Sequence, residues 1–276
     1  MSLPYLDYAV RWPSGQSLPG RHPSRAAGTG GDFRAFRAFR DVPDSRRIDI
    51  RRSMLDPFEE LVVRQTEQRS GISVIVAADL SRSMQAANMS AVSLLAQAAS
   101  RSAHKAGDRF GFIGFDAVPR GDFTLPCRRG RGAAAELLAR LQVLRPQGTS
   151  AAGIAELAPL LPRQRSLVIL VSDFLMPHLL LEQALASLFR HDVAPVVLHE
   201  AREHDVPSAG LMRLRDAESG GTRLLLMHPA LRRRWHAART TWRKNLDALF
   251  AQHCRPAFHA EGALDLARLS EHLRMI

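Results

Sequence analysis

Cysteine is nearly missing from this sequence. Cys127 and Cys254 are the only two among 276 residues, and they form no CxxC pattern. A disulfide framework and a cysteine-ligated zinc site are thereby excluded, and a reducing compartment is expected. Long hydrophobic runs are missing too. The longest, residues 72–78 and 167–171, fall well short of the roughly 18 residues needed to cross a bilayer. The first residues carry Pro4 and Asp7 where a secretory signal would need a basic flank and an apolar stretch, so a cytoplasmic protein is expected. Aromatic residues are few, at 6%. Lysine is scarcer still: Lys105 and Lys244 are alone, so the net charge of +11 is carried by arginine.

Arginine clusters at residues 34–52, 128–131 and 232–243. A nucleic-acid surface would interleave such cations with aromatic rings that stack on bases. With so few rings, the better complement is an acidic protein surface. The skew toward arginine is also what a GC-rich coding sequence produces.

The chain changes texture near residue 70. In residues 1–70, Pro13, Gly15, Pro19, Gly20, Pro23, Gly28, Gly30 and Gly31 punctuate the first thirty positions, which predicts loop. Short strands are expected at 48–50 and 60–64, giving an irregular, β-rich N-terminal module. Residues 71–276 then alternate strands with helices. Strands are expected at 72–78, 109–117, 121–125, 166–172, 193–199 and 256–259. Helices are expected at 89–105, 133–144, 151–161, 179–190, 229–253 and 264–273, with a β-hairpin insertion at 211–227. This order predicts an α/β fold with a mostly parallel sheet covered by helices. Ligands in such sheets sit at the carboxyl ends of the strands.

Oxygen-bearing side chains gather at those ends. The strand 72–78 runs into Asp79-Leu80-Ser81-Arg82-Ser83-Met84, a carboxylate and two hydroxyls at alternate positions. Gly148-Thr149-Ser150 offers another hydroxyl, and Val171-Ser172-Asp173-Phe174 a second carboxylate. These hard oxygens suit Mg²⁺ or Mn²⁺. Each piece alone also reads as a helix cap or a turn residue; the ordered set is more specific.

That set, DxSxS followed by Thr149 and Asp173, resembles the metal-ion-dependent adhesion site of von Willebrand factor A-like domains. From about residue 28 to 274 the chain resembles the bacterial family called domain of unknown function 58, whose members are typically encoded beside MoxR-type AAA+ ATPases. The features concerned are Gly30-Gly31-Asp32-Phe33-Arg34, Arg46-Arg47-Ile48-Asp49, the metal motif, and the stretch from Gly210 to Gly221. The family's usual Tyr-x-Pro-Gly-Asp turn and its tryptophan after Ile-Asp are replaced here by residues 39–44 and by Ile50. The run 44–58 is similar to a subgroup linked with methanol-dehydrogenase maturation. The family's usual membrane-spanning start has no counterpart, which implies a soluble copy. The resemblance implies an ion held by Asp79, Ser81, Ser83, Thr149 and Asp173, with one coordination position left for an acidic side chain of a partner. Arg82, Met84, Ser150 and Phe174 are the candidate partner contacts. The implied partners are a MoxR-type ATPase and a client protein.

An enzyme is the less favoured reading. Phosphoryl-transfer sites built on a strand-end aspartate place a second carboxylate two residues on, where this chain has Ser81. No GxxxxGK[ST] loop occurs, and Ser81 lacks the G-x-S-x-G elbow of a hydrolase. His191, His199, His204, His228 and His236 show no close metal-ligand spacing.

Overall fold

The structure is a computed structural model that describes residues 5–15, 19–58, 60–84, 86–130, 132–199, 210–215 and 221–275. Its contacts divide the chain into two compact units, one of residues 10–72 and one of residues 5–9 with 73–275.

In the smaller unit, β1 (Pro19–Ala38) pairs antiparallel with β2 (Val62–Ser70). The expectation of loop across the first thirty residues is corrected from residue 19 onward, while residues 5–15 hold only an isolated bridge at Ser14. Glycine and proline supply bulges rather than ending the strand: Gly28 and Phe33 both face Thr66, so the chain between them bows out of register. At Gly20 a Cβ would lie 2.2 Å from the Gly71 backbone nitrogen, a closeness only glycine permits. The expected strand at 48–50 reduces to one bridge, Ile48 with Val63. The Asp49 carboxylate accepts the Arg52 N–H at 3.0 Å and starts a helical turn, α1 (Ile50–Met54).

The larger unit is a mixed α/β layer structure, as its alternating pattern predicts. It contains β3 (Ser73–Asp79), α2 (Ala86–Ala106), β4 (Arg109–Phe115), β5 (Pro119–Arg128), α3 (Gly132–Val143) and β6 (Leu167–Ser172). After these come α4 (His178–Ser187), β7 (Asp192–His199), α5 (Pro229–His253), β10 (Phe258–Glu261) and α6 (Leu266–Met275). The hairpin strands β8 (Gly210–Arg215) and β9 (Thr222–Met227) pair antiparallel, and residues 216–220 between them lie outside the described residues, as does His204.

The six-stranded sheet runs β10-β7-β6-β3-β4-β5, parallel except for β5 at its edge. Every residue of β3 and β6 is buried, which explains their unbroken apolar sequences. One face of the sheet packs Ile75, Ala77, Phe115, Val168 and Leu170 against Leu181 and Leu185 of α4 and Leu246, Leu249 and Phe250 of α5. Gly114 in β4 leaves room for Leu80 and Phe123, since a Cβ there would meet Leu80 Cδ1 at 2.4 Å.

The helix expected over 151–161 is instead two 3₁₀ turns, Ala152–Glu156 and Ala158–Leu160. The Gly153 N–H bonds to the Asp116 carbonyl at 2.9 Å, and Pro159 has no N–H to offer. Among the described residues no helix is long and apolar enough to cross a membrane.

Candidate metal centre

The parallel strands β6, β3 and β4 lie side by side, so their carboxyl ends share one edge of the sheet. Three loops leave that edge. At the end of β3 the Asp79 side chain turns back on its own loop and accepts the Ser81 N–H at 2.8 Å. Ser81 Oγ and Ser83 Oγ lie 3.1 Å apart. Leu80 N–H bonds to Phe115 O at 2.6 Å, anchoring the loop to β4. The cap reading of Asp79 is not what forms, because its carboxylate closes a local turn several residues before α2.

The second loop is clamped to the first. Arg82 N–H donates to Gly148 O at 2.8 Å, and Ser81 pairs with Gly148 in a parallel bridge. Gly148 sits so close to Asp116 that a Cβ would lie 2.5 Å from the Asp116 Cβ. Asp116 itself is fixed by Arg120 Nη1 at 3.0 Å. The neighbouring Thr149 is exposed. The residue capping the next turn is Ala151, with no side-chain cap, so Thr149 is no helix cap and its hydroxyl is free among the described residues.

At the end of β6, Asp173 accepts the Leu175 N–H at 3.0 Å, and the Ser83 and Ser172 hydroxyls beside it offset part of the effect of its burial. Ser172 Oγ donates to Asp79 Oδ2 at 2.7 Å and accepts the Phe174 N–H at 2.9 Å. Asp79, Ser81, Ser83 and Ser172 thus form one hydrogen-bonded group, with Asp173 next to Ser172 in the chain and Thr149 held beside it through Gly148.

The electrostatics are unfavourable without a cation. Burial pushes the Asp79 carboxyl up to about 7, and the Asp173 carboxylate adds to the push; hydrogen bonds from Ser81 and Ser172 offset part of it. Burial raises Asp173 as well. Two desolvated carboxylates beside three hydroxyls are the donor chemistry of a hard divalent cation. No group of three or more His, Cys, Asp or Glu forms among the described residues, so hydroxyls, carbonyls or water would supply the rest of any such shell.

Two expected partner contacts are corrected. Met84 and Phe174 are buried, at 0% and 1% exposed. Phe174 packs edge-on against Phe250 at 5.1 Å and takes φ +54°, a left-handed conformation held by that packing. Both shape the loops from beneath. Arg82 and Leu175 are exposed and Ser150 half-buried. Sequence reasoning missed Ser172 and Asp116. Ser172 could have been found as a hydroxyl at the last position of a buried strand. Asp116 carries a similar signal, a carboxylate just past β4.

Solved structures similar to this chain include BatB from Bacteroides thetaiotaomicron, 15% identical, covering 74% of this chain and 97% of that one at TM-score 0.47. A von Willebrand factor type A structure from Catenulispora acidiphila is 17% identical, covering 49% of this chain and 35% of that one at TM-score 0.38. The uncharacterized protein Rv1480 of Mycobacterium tuberculosis is 36% identical over 70 residues. That match spans 25% of this chain and 22% of the relative. The profile of the family described as "Protein of unknown function DUF58" matches residues 36–245, most of the chain, and the chain belongs to that family.

Proposed function

We propose that this protein is a metal-dependent adaptor whose site at the carboxyl ends of β3, β4 and β6 binds a partner protein. Asp79, Ser81, Ser83, Thr149 and Asp173 would hold one Mg²⁺ or Mn²⁺, with Ser172 orienting Asp79. The observation that carries this reading is the buried pair Asp79 and Asp173, joined through Ser172 and lined by the Ser81 and Ser83 hydroxyls. A divalent ion there would offset the cost of holding two carboxylates out of water. When bound, the ion supplies a Lewis-acidic position for one more anionic oxygen. A partner's Asp or Glu would fill it, with Arg82, Thr149, Ser150 and Leu175 as the outward neighbours. The family resemblance points to a MoxR-type AAA+ ATPase as partner and to a client protein, with a methanol-dehydrogenase system as the candidate. The binding reading is preferred to phosphoryl transfer because Ser81 stands where an acid/base carboxylate is needed.

The test is titration calorimetry with Mg²⁺ and Mn²⁺, followed by a pull-down of the MoxR-type ATPase crossed over EDTA and salt. One-site metal binding, and capture lost to EDTA at every salt concentration, are the expected results. Capture that ignores EDTA and Asp79→Ala yet disappears at high salt would assign the interaction to the arginines.

A further inference from the structure

Helices α2 and α3 leave an open cleft of about 830 Å³ between them. Side-chain size explains it. Leu137 and Leu141 of α3 are buried in the core, while Ala135, Leu138 and Ala139 line the cleft. The two alanines are too short to fill the space in front of α2. The α2 wall is polar and cationic, with Arg101, His104 and Lys105. Tyr5 lines the cleft as well, with Lys105 Nζ 4.7 Å from its ring centroid. An apolar wall facing a few polar groups, at this volume, is the make-up of a small-molecule site. The cleft is remote from the metal centre. The metal loops lead into the start of α2, whereas Arg101 lies 15 residues beyond Ala86, about 22 Å along the helix axis.

Charge indicates what fits. No Asp or Glu lines the cleft: the carboxylates nearest to its residues in the chain, Asp7, Asp108 and Glu136, all stand outside it. Asp108 accepts the Tyr8 hydroxyl at 2.7 Å. His104 and Lys105 belong to the last turn of α2, where cations complement the helix dipole. Arg101 precedes that turn and has no such reason to be there. Among the described residues it makes no hydrogen bond or ion pair, and its Nη1 is shut off from water without a partner. A buried donor left unpaired is costly. An anion seated in the cleft would supply the missing acceptor once this flexible side chain turns toward it, and a guanidinium suits carboxylate and phosphate alike. We propose that this cleft binds a small organic anion, its carboxylate or phosphate held by Arg101 and Lys105 and its apolar body lying on Ala135, Leu138 and Ala139.

The experiment is a calorimetric titration of the full chain, without added divalent ion, using naphthoate as the anionic probe and naphthol as its neutral counterpart. The expected result is one-to-one naphthoate binding with a Kd of about 1 mM or tighter, as for a ligand of this size. Naphthol should bind about fivefold more weakly or worse, and Arg101→Gln should weaken naphthoate about tenfold while leaving naphthol unchanged. Ala135→Trp and Ala139→Trp each fill the cleft and should abolish the binding of both. Both alanines are exposed, so at least one of these variants should keep the parent's thermal unfolding. Because Arg101 holds no bond in the folded protein, Arg101→Gln should unfold no earlier than the parent. Naphthoate that fails to saturate, that binds no better than naphthol, or that ignores the folded tryptophan variant would overturn the proposal. So would an Arg101→Gln protein that is clearly less stable, since Arg101 would then serve the fold.

Discussion

Ser172 Oγ donates to Asp79 Oδ2 at 2.7 Å, tying together the ends of two adjacent strands and orienting a carboxylate that is completely buried. The same oxygen accepts the Phe174 N–H, which helps hold the left-handed turn that aims Asp173. Ser172→Ala would take this partner from Asp79 Oδ2 and from the Phe174 N–H. The expected cost is about 1–3 kcal/mol in urea unfolding, with divalent-ion affinity falling by about tenfold or more, as for other groups that orient metal ligands. Calorimetry on a variant with native circular dichroism checks the second number.

The pH dependence of the metal-free protein follows from Asp79. Its carboxyl is raised from 3.8 to about 7 by burial and then by Asp173. Between those values the unfolded chain has lost the proton that the folded chain retains, so this group's contribution to stability falls as pH rises from about 4 to about 7. The largest possible effect is about 4 kcal/mol. Asp79→Asn should therefore flatten the difference and make the EDTA-treated protein more stable near neutrality. Guanidinium unfolding of both proteins from pH 4.5 to 8 is the measurement. A variant less stable than the parent at pH 7.5 would show that the carboxylate is not strained. Mg²⁺ binding near pH 6 should release a proton, seen as a buffer-dependent heat.

Much of this arrangement is legible in the sequence, for a physical reason. A strand buried on both faces must be apolar throughout, so β3 and β6 stand out, and the polar residues that end them mark the sheet edge where ligands bind. Other parts are settled by contacts between segments distant in the chain. The turns after Thr149 carry helical periodicity, but Gly153 gives its N–H to Asp116 and the helix does not form. The glycines and prolines of β1 look like loop, because a bulged strand shows itself only against its partner β2. Met84 and Phe174 sit beside site residues in sequence, yet the loop's curl turns them into the core.

Gly148 couples the first two site loops and leaves no room for change. A Cβ would meet Asp116 at 2.5 Å for its Cβ and 2.9 Å for Oδ2. Gly148→Ala should push its loop outward, lengthen the Arg82 N–H to Gly148 O bond and move Thr149 away from Ser81. Because the displacement falls on a loop, unfolding free energy should drop by only about 1–2 kcal/mol, while Mg²⁺ affinity drops at least tenfold. A large loss of stability with affinity retained would mean that Thr149 does not depend on this clamp. Asp116→Gly/Gly148→Ala gives the second arm: removing the clashing Cβ together with its carboxylate should restore part of the affinity.

Away from the site, Arg255 gathers three segments that are distant in sequence. Its Nε and Nη2 bind the two oxygens of Asp192 at 2.7 Å and 2.6 Å, Nη1 donates to Leu273 O at 3.1 Å, and Nη2 donates to Ala9 O at 2.8 Å. The guanidinium joins the start of β7, the end of α6 and the residues preceding the smaller unit, and its side chain is 6% exposed. Lysine offers a point charge without this planar fork, so Arg255→Lys should keep at most one of the four bonds. Arg255→Met leaves a half-formed buried pair and takes a donor from the Ala9 and Leu273 carbonyls, the second of which keeps the Ala9 N–H at 3.3 Å, and should cost about 3–5 kcal/mol. Replacing both partners, Arg255→Met with Asp192→Asn, should recover part of that loss, since no unpaired charge remains. Urea unfolding of the single and double variants measures the coupling. The proposed metal centre lies beyond the carboxyl ends of β3 and β6, whereas Asp192 begins β7 at the opposite end of the parallel strands. Mg²⁺ affinity, measured below the unfolding transition, should therefore be unchanged in all of them.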